Sequence, residues 1–278
     1  MLSLQRLINS YQTNEYRIFL GLMYLLSAFG IYKLFVDVSL WWLLAAVVWS
    51  KFIGIFGHSI GLHRYFSHRS FNTTAVVEKF LAWTSVLLGA GSPVTYARTH
   101  RHHHRHADTA ADYHSPITNG LLSTMLGAWE FRHVSWFIEK GGATPRDLLI
   151  NKTCKYIHDN YFRIWSVLLI ASLLVDWHIT VYLLAIPVLY THLDYNILTN
   201  TVGHRLGYRN FETNDASTNC SWTRIFNLGE SYHNNHHAHP QLYDFAIKSH
   251  EHDLIGTIIE RWLAIDGNQT RNGKLRIE

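Results

Sequence analysis

Cysteine is scarce in this 278-residue chain. Its two examples, Cys154 and Cys220, form no CxxC pair, which argues against a thiolate metal site and reads as two ordinary thiols in a reducing compartment. Proline is scarce as well, at five residues, and no Gly/Ser/Pro-rich linker divides the chain. There is no internal repeat and no low-complexity tract, so residues 1–278 read as one domain. Charge of one sign is missing too. The formal balance is only +4, and no Lys/Arg-dense arm offers itself to nucleic acid. So mild an excess fits a basic face beside a membrane surface. The first residues, from Met1 to Arg6, lack the basic, then apolar, then small-residue order of a cleaved signal, so the first long apolar run is expected to stay in the protein.

Apolar side chains and histidine are abundant. The chain is 48% hydrophobic and 14% aromatic, with ten tryptophans, and it carries 20 histidines. A mean hydropathy near zero hides strong segregation, in which very apolar runs alternate with His- and Arg-rich ones.

Crossing a bilayer takes about 20 apolar residues. Residues 18–35 and 40–56 satisfy this, each with one lysine near its end (Lys33, Lys51), and only residues 36–39 separate them. A second pair, 162–175 and 179–198, is joined at residues 176–178. The third of these runs is short and contains Arg163, which can snorkel if its helix starts nearer Tyr156. The expected fold is an all-α integral membrane protein: four transmembrane helices in two hairpins, with a helical cap from residues 57–161 and 199–278. A soluble protein would have to bury four such runs. Residues 64–155 hold eleven Lys and Arg while the short turns hold almost none. The positive-inside rule therefore places the cap and both termini in the cytoplasm. The apolar run from Val76 to Gly91 would part the histidine clusters if it crossed, so an interfacial helix or one within the cap fits better.

Histidine falls in clusters: His63 and His68; His100, His103 and His104; His233, His236 and His237; with His204 following Asn200 by four residues just past the fourth run. Helical residues three and four apart share a face, so each triplet is expected to offer three imidazoles to one small volume. His63 and His68 differ. Five residues on an α-helix are about 140° apart, so they converge only if the helix ends or bends, or if they serve different metals. Asn200 is placed to hold a metal-bound water. If the second run continues as helix, His63 lies 11 residues beyond Phe52, about 16 Å, which sets the site just outside the bilayer. Nine imidazoles exceed the four of a structural zinc, and two metals with four or five ligands each is the natural division. Ligand histidines commonly hand their second N–H to a carboxylate; Asp108, Asp112 and Glu230, each close to a cluster, are candidates. His102 and His106 fall off the shared face. His58, five residues before His63, is left open as a ligand, as is His239. His114, His158, His178, His192, His250 and His252 are read as ordinary surface or core histidines.

At these residues the chain resembles the membrane fatty acyl desaturases, in particular the stearoyl-CoA branch acting on Δ9 of acyl-CoA or acyl lipid. The family pattern is HxxxxH, HxxHH and HxxHH with an Asn-xxx-His before the last box. Here these are His63 to His68, His100 to His104, His233 to His237, and Asn200 to His204. Lesser matches run from Asp108 to Pro116, His133 to Trp136 and Arg146 to Leu149, and the likeness covers roughly Trp49 to Asp266. Thr99 and Tyr113 depart from the Asp and Pro of many relatives and leave the acyl carrier open. The resemblance implies two ferrous ions held by His63, His68, His100, His103, His104, His204, His233, His236 and His237, with Asn200 reaching one through water. It implies O2-dependent desaturation of a fatty acyl thioester or acyl lipid, with Δ9 the expected position. A separate electron donor of ferredoxin, rubredoxin or cytochrome b5 type is expected, since no fused cytochrome b5 segment is seen. Trp129, Trp136 and Trp222 are weighed as tunnel lining against ordinary packing. A lipid hydroxylase on the same scaffold is the nearest alternative; a membrane metal transporter or sensor is the alternative of another class, and transporters keep their ligands near the bilayer midplane.

Overall fold

The computed structural model describes residues 2–37, 39–112, 114–128, 145–227, 229–265 and 275, with side chains from residue 14 onward except Ile225. Among the described residues the protein is all-helical, with isolated β-bridges at Tyr208–Asn219 and Asn219–Tyr232 in place of any sheet. Tyr113, Trp129 and Trp136, and with them the match from His133 to Trp136, lie outside the described residues.

Helix α1 (Leu2–Asp37) is followed by α2 (Leu40–Ile53), which runs on without a break as a π-helix through Gly54–Ser67. Next come α3 (Ala75–Val86), α4 (Pro93–His106), α5 (Leu121–Met125), α6 (Arg146–Ile150) and α7 (Lys152–Val175). Helix α8 (Ile179–His204) is continuous but mixed: π-helical over Ile179–Ala185, α-helical over Ile186–Leu193, π-helical again over Asp194–Thr201 and 3₁₀ at its end. Short helices α9 (Arg224–Asn227), α10 (His233–Ala238) and α11 (Leu254–Ile258) follow, and α11 runs on into a π-helical turn at Ile259–Leu263.

Three helical stretches are long and apolar enough to cross a membrane: Asn14–Asp37, Leu40–Ser67 and Ile179–His204. They contain the expected runs 18–35, 40–56 and 179–198. Their outer faces carry large bare apolar side chains, such as Phe35 at 81% and Trp41 at 82% exposure, which suit lipid and not water. The remaining run, 162–175, is the second half of α7. That helix starts at Lys152, and its first half holds Lys155, Asp159 and Arg163, so it falls outside the three. The turn expected at residues 176–178 narrows to Asp176, whose carboxylate accepts the His178 N–H at 3.0 Å. Helix α3 has 12 residues, about 18 Å of rise, and is too short to cross a hydrocarbon core of about 30 Å.

Caps fix where the helices begin. Ser92 accepts from Thr95 N ahead of Pro93 at the start of α4, and Asn151 accepts from Thr153 N and Cys154 N at the start of α7. The main core joins Phe19, Leu20 and Met23 of α1 to Leu81 of α3, Trp165 of α7 and Val188 of α8. Helices α3 and α4 pack on the π-helical extension of α2. The ends of α2, α4 and α8 are thereby held around one volume.

Candidate metal centre

The π-helical winding answers the puzzle of His63 and His68. Its i→i+5 pattern lets His68 N donate to His63 O at 3.2 Å, so residues five apart come onto one face, and the two imidazole centroids lie 5.1 Å apart. Such turns are uncommon and cluster at functional sites. The 140° expected of an α-helix does not apply here. His58 shares the winding and lies 6.3 Å from His63, but its Nε2 pairs with Tyr96 Oη at 2.9 Å.

Ring nitrogens converge in two sets. One holds His63, His68, His100, His104 and His236; the other holds His103, His204, His233 and His237; within each, the nitrogens lie within 4.8 Å of one another. All nine histidines expected from the sequence fall in these sets. The expectation that each triplet serves one volume is corrected. On α4, His100 and His104 turn to the five-histidine set and His103 to the other; on α10, His233 and His237 turn to the four-histidine set and His236 to the first. At about 100° per residue, the i+3 position sits about 100° round from i+4, so two adjoining positions are served from one helix.

Spacing within the sets suits metal. Nε2–Nε2 separations are 2.9 Å for His63–His236, 2.7 Å for His68–His100, 3.1 Å for His100–His104 and 2.8 Å for His104–His236. In the other set they are 2.9 Å for His204–His233 and 3.3 Å for His103–His237. A metal–imidazole bond of about 2.1 Å puts nitrogens at right angles about 3.0 Å apart. His103 and His237 make the strongest test. Each engages a carboxylate through Nδ1, so in the Nδ1–H form the two Nε2 lone pairs face each other, an arrangement that a cation between them would satisfy.

Four carboxylates stand behind the imidazoles. Glu230 Oε2 lies 2.7 Å from His63 Nδ1, Asp112 Oδ2 2.9 Å from His103 Nδ1, Asp108 Oδ2 2.8 Å from His204 Nδ1 and Asp215 Oδ2 2.9 Å from His237 Nδ1. Asp108, Asp112 and Glu230 are the three expected from sequence. Asp215 escaped it because 22 residues separate it from His237, so closeness in sequence gave no signal. Burial alone would raise Asp108, but the His204 bond, Ser115 and the Ala216 N–H overcome it and hold the carboxyl at about 2. Burial likewise opposes ionisation of Asp112 and Asp215, and their histidines outweigh it, so both stay well below the usual carboxylate range. Among the rings, burial drives His68, His100, His104, His233 and His236 well below their ordinary value, into the neutral form that donates a lone pair. At His103 burial pulls the same way, but Asp112 outweighs it and the value rises.

Helix α10 is only six residues long and is held by its two asparagines. Asn234 Oδ1 accepts from Asn210 N and Phe211 N, while Asn235 Nδ2 donates to Phe245 O and Glu251. Gly203 permits the approach of His233: a Cβ there would stand 3.2 Å from its ring. Gly229, at φ 112°, turns the chain into Glu230 where a Cβ would meet Asp253 at 2.4 Å.

The other expected residues are less central. Asn200 is buried in the π-helical part of α8, four residues before His204, and its Nδ2 donates to Asn196 Oδ1 at 3.3 Å. His102 Nε2 pairs with Ala111 O, and the His102 and His106 rings lie tilted against each other outside both sets. His239 packs on Phe211. Trp222 is exposed. His114 was read as ordinary from sequence, yet it is buried 4.2 Å from the His103 ring and close to Asp112. His103, Asp112 and His114 make a third close group, but the Asp112 oxygen is already taken by His103 Nδ1, so the group braces the four-histidine set.

An all-helical protein with membrane-length helices and two adjoining histidine sets able to hold metal is thus defined. Comparison with known proteins makes the class particular: the fatty acid desaturase profile matches residues 39–260, and the chain belongs to that family of oxidoreductases acting on fatty acyl chains. It is 31% identical over 239 residues to the hex-5-enoyl-[acyl-carrier protein] acetylenase of Moorena producens, covering 77% of this chain and 74% of that one. It is 31% identical over 192 residues to the sn-1 stearoyl-lipid 9-desaturase of Anabaena variabilis, covering 66% and 67%. With the acyl-CoA C20 Δ5-desaturase of Anemone leveillei it shares 34% over 201 residues, covering 66% of this chain and 59% of that relative.

Proposed function

We propose that the chain inserts a double bond into a long-chain fatty acyl group, with O2 as oxidant, at two iron ions held by His63, His68, His100, His104 and His236 and by His103, His204, His233 and His237. The observation that carries this reading is the convergence of nine ring nitrogens into two adjoining sets in a member of the fatty acid desaturase family. When bound, the iron pair supplies O2 reduction and the oxidising power to remove two hydrogens from adjacent methylenes. The protein's part is positional. Asp112, Asp108 and Asp215 hold the Nδ1 sides of His103, His204 and His237, and Glu230 stands beside His63, so that the Nε2 atoms point inward; burial drives His68, His100, His104, His233 and His236 toward the neutral form and keeps bulk water away. Asn200 is assigned a water-mediated contact to the four-histidine position, on its burial and its place one turn before His204.

The double bond is assigned to Δ9. Support comes from relatives named sn-1 stearoyl-lipid 9-desaturase in Anabaena variabilis and Synechocystis, set against relatives named for position 5. The carrier is an acyl lipid or an acyl thioester; relatives are named for a carrier protein, a lipid and CoA. Reducing equivalents come from a separate protein of ferredoxin, rubredoxin or cytochrome b5 type. The chain acts as one multi-pass membrane domain of four spans, the fourth being the second half of α7, where Leu174 and Val175 are bare. The excess of Lys and Arg between residues 64 and 155 supports a cytoplasmic cap, metal site and termini.

Expression in a host lacking its own desaturase, with double-bond positions mapped in the host lipids, tests this reading. A new cis double bond at carbon 9 is expected. An alcohol as the sole product would sink it.

A further inference from the structure

The two histidine sets are backed unequally. In the four-histidine set, three of four imidazoles have a carboxylate on Nδ1: His103 with Asp112, His204 with Asp108 and His237 with Asp215. In the five-histidine set one of five does, His63 with Glu230. That carboxylate is moreover shared. Arg64, fully buried, lies 3.8 Å from Glu230 and 2.9 Å from Asp253. Among the described residues no Lys or Arg lies within salt-bridge distance of Asp108 or Asp112 or Asp215; backbone N–H groups and hydroxyls hold their remaining oxygens, as at Ser115, Ala216 and Ser217. Nδ1 of His100 and of His236 in the five-histidine set, and of His233 in the four-histidine set, is buried with no hydrogen-bond partner, and His63 Nδ1 meets Glu230 by proximity alone, without hydrogen-bond geometry. Two of the five-histidine set, His68 and His104, are only partly buried, against one of the four-histidine set, His237.

These differences act in one direction. An imidazole that gives its N–H to a carboxylate is a stronger and better oriented donor, and each such partner is worth about 10–100-fold in metal affinity. Three uncompensated anions also attract a cation more than one anion shared with an arginine. The fifth imidazole works against this, but it comes as one of four rings with no carboxylate behind it.

Building on the two-metal reading above, we infer that the two positions are unequal in retention: the four-histidine position, through the positioning residues Asp108, Asp112 and Asp215, keeps its metal after the five-histidine position has lost its own.

The full chain in lipid nanodiscs, loaded anaerobically with ferrous iron, is challenged with a ferrous chelator, and iron per chain is followed by elemental analysis. Two equivalents leaving in separate phases, at least about 10-fold apart in rate, are expected. Asp215→Asn is expected to speed the slow phase about 10–100-fold and leave the fast phase alone, while Glu230→Gln speeds the fast phase only. General loosening of the fold would speed both phases, so selectivity separates positioning from plain destabilisation. Two equivalents leaving in one phase, or the two variants acting on the opposite phases, would overturn the inference alone. A chain that never holds more than one iron would overturn the two-metal reading and this inference with it.

Discussion

His103 and His104 are neighbours in sequence and members of different imidazole sets: His103 Nε2 lies 3.3 Å from that of His237, and His104 Nε2 lies 2.8 Å from that of His236. Helix α4 is thus a partition with one imidazole set on each side, and α10 repeats the arrangement. Removing one ring should damage one position more than the other.

His236→Ala removes a ring whose Nε2 lies within 2.9 Å of both His63 and His104. Desaturation should fall at least about 100-fold, with close to one iron lost per chain. Acyl-chain analysis and elemental analysis check this, with circular dichroism confirming retained helix. Full activity in this variant would count heavily against the site.

Chelation should lower thermal stability. Bare lone pairs face each other at His103 and His237, so an ion that binds only the folded chain stabilises it by mass action. Unfolding followed in detergent, with and without chelator, should show a drop reversed by ferrous iron. Identical curves would remove the argument from lone-pair crowding.

Arg101 closes the end of the π-helical stretch, donating to Phe66 O and Ser67 O and pairing with Asp147, which also holds Arg69. Burial would raise Asp147, but Arg101 and Arg69 outweigh it and lower it below the ordinary value. Its contribution is therefore present above the ordinary carboxylate pKa of about 4 and is lost as pH falls through the lower folded value. Because the pair is partly solvated, Asp147→Asn should cost at most about 1 kcal/mol. Denaturation midpoints compared at neutral pH and below pH 4 should differ less in the variant.

Asn151 caps α7 and donates to Glu78 Oε1 at 2.7 Å. Asn151→Ala should cost about 1–2 kcal/mol. Stability of the isolated protein should drop while iron per chain holds at its original value, since Asn151 bonds to none of the nine histidines.

The nine converging histidines were legible because imidazoles at helical spacing beside apolar runs carry both chemistry and location. Three of the four carboxylates were legible by closeness in sequence; Asp215 was not, since the chain brings it back only through the bonds that anchor residues 210–219 to α10. His63 and His68 misled the arithmetic of the α-helix because the backbone there winds as a π-helix, packed against α3 and α4, and side-chain spacing does not reveal the winding. The division of each triplet between two positions was present in the 100° step per residue, but the existence of two receiving sets was needed to see it. Among the apolar runs, three stood out by length and composition. Residues 162–175 were harder to judge because α7 joins a charged half to an apolar one.

Helix α2 is a single rod from Leu40 to Ser67, apolar at one end and bearing His63 at the other. Such a rod is a lever. A change in bilayer thickness that tilts it by about 5° swings a point roughly 16 Å beyond its apolar part by about 1.4 Å. That exceeds the tolerance of a metal site, which is set in tenths of an ångström. Under the two-metal reading proposed above, the thickness of the surrounding lipid, itself a function of acyl-chain composition, is thereby written into the geometry of the centre.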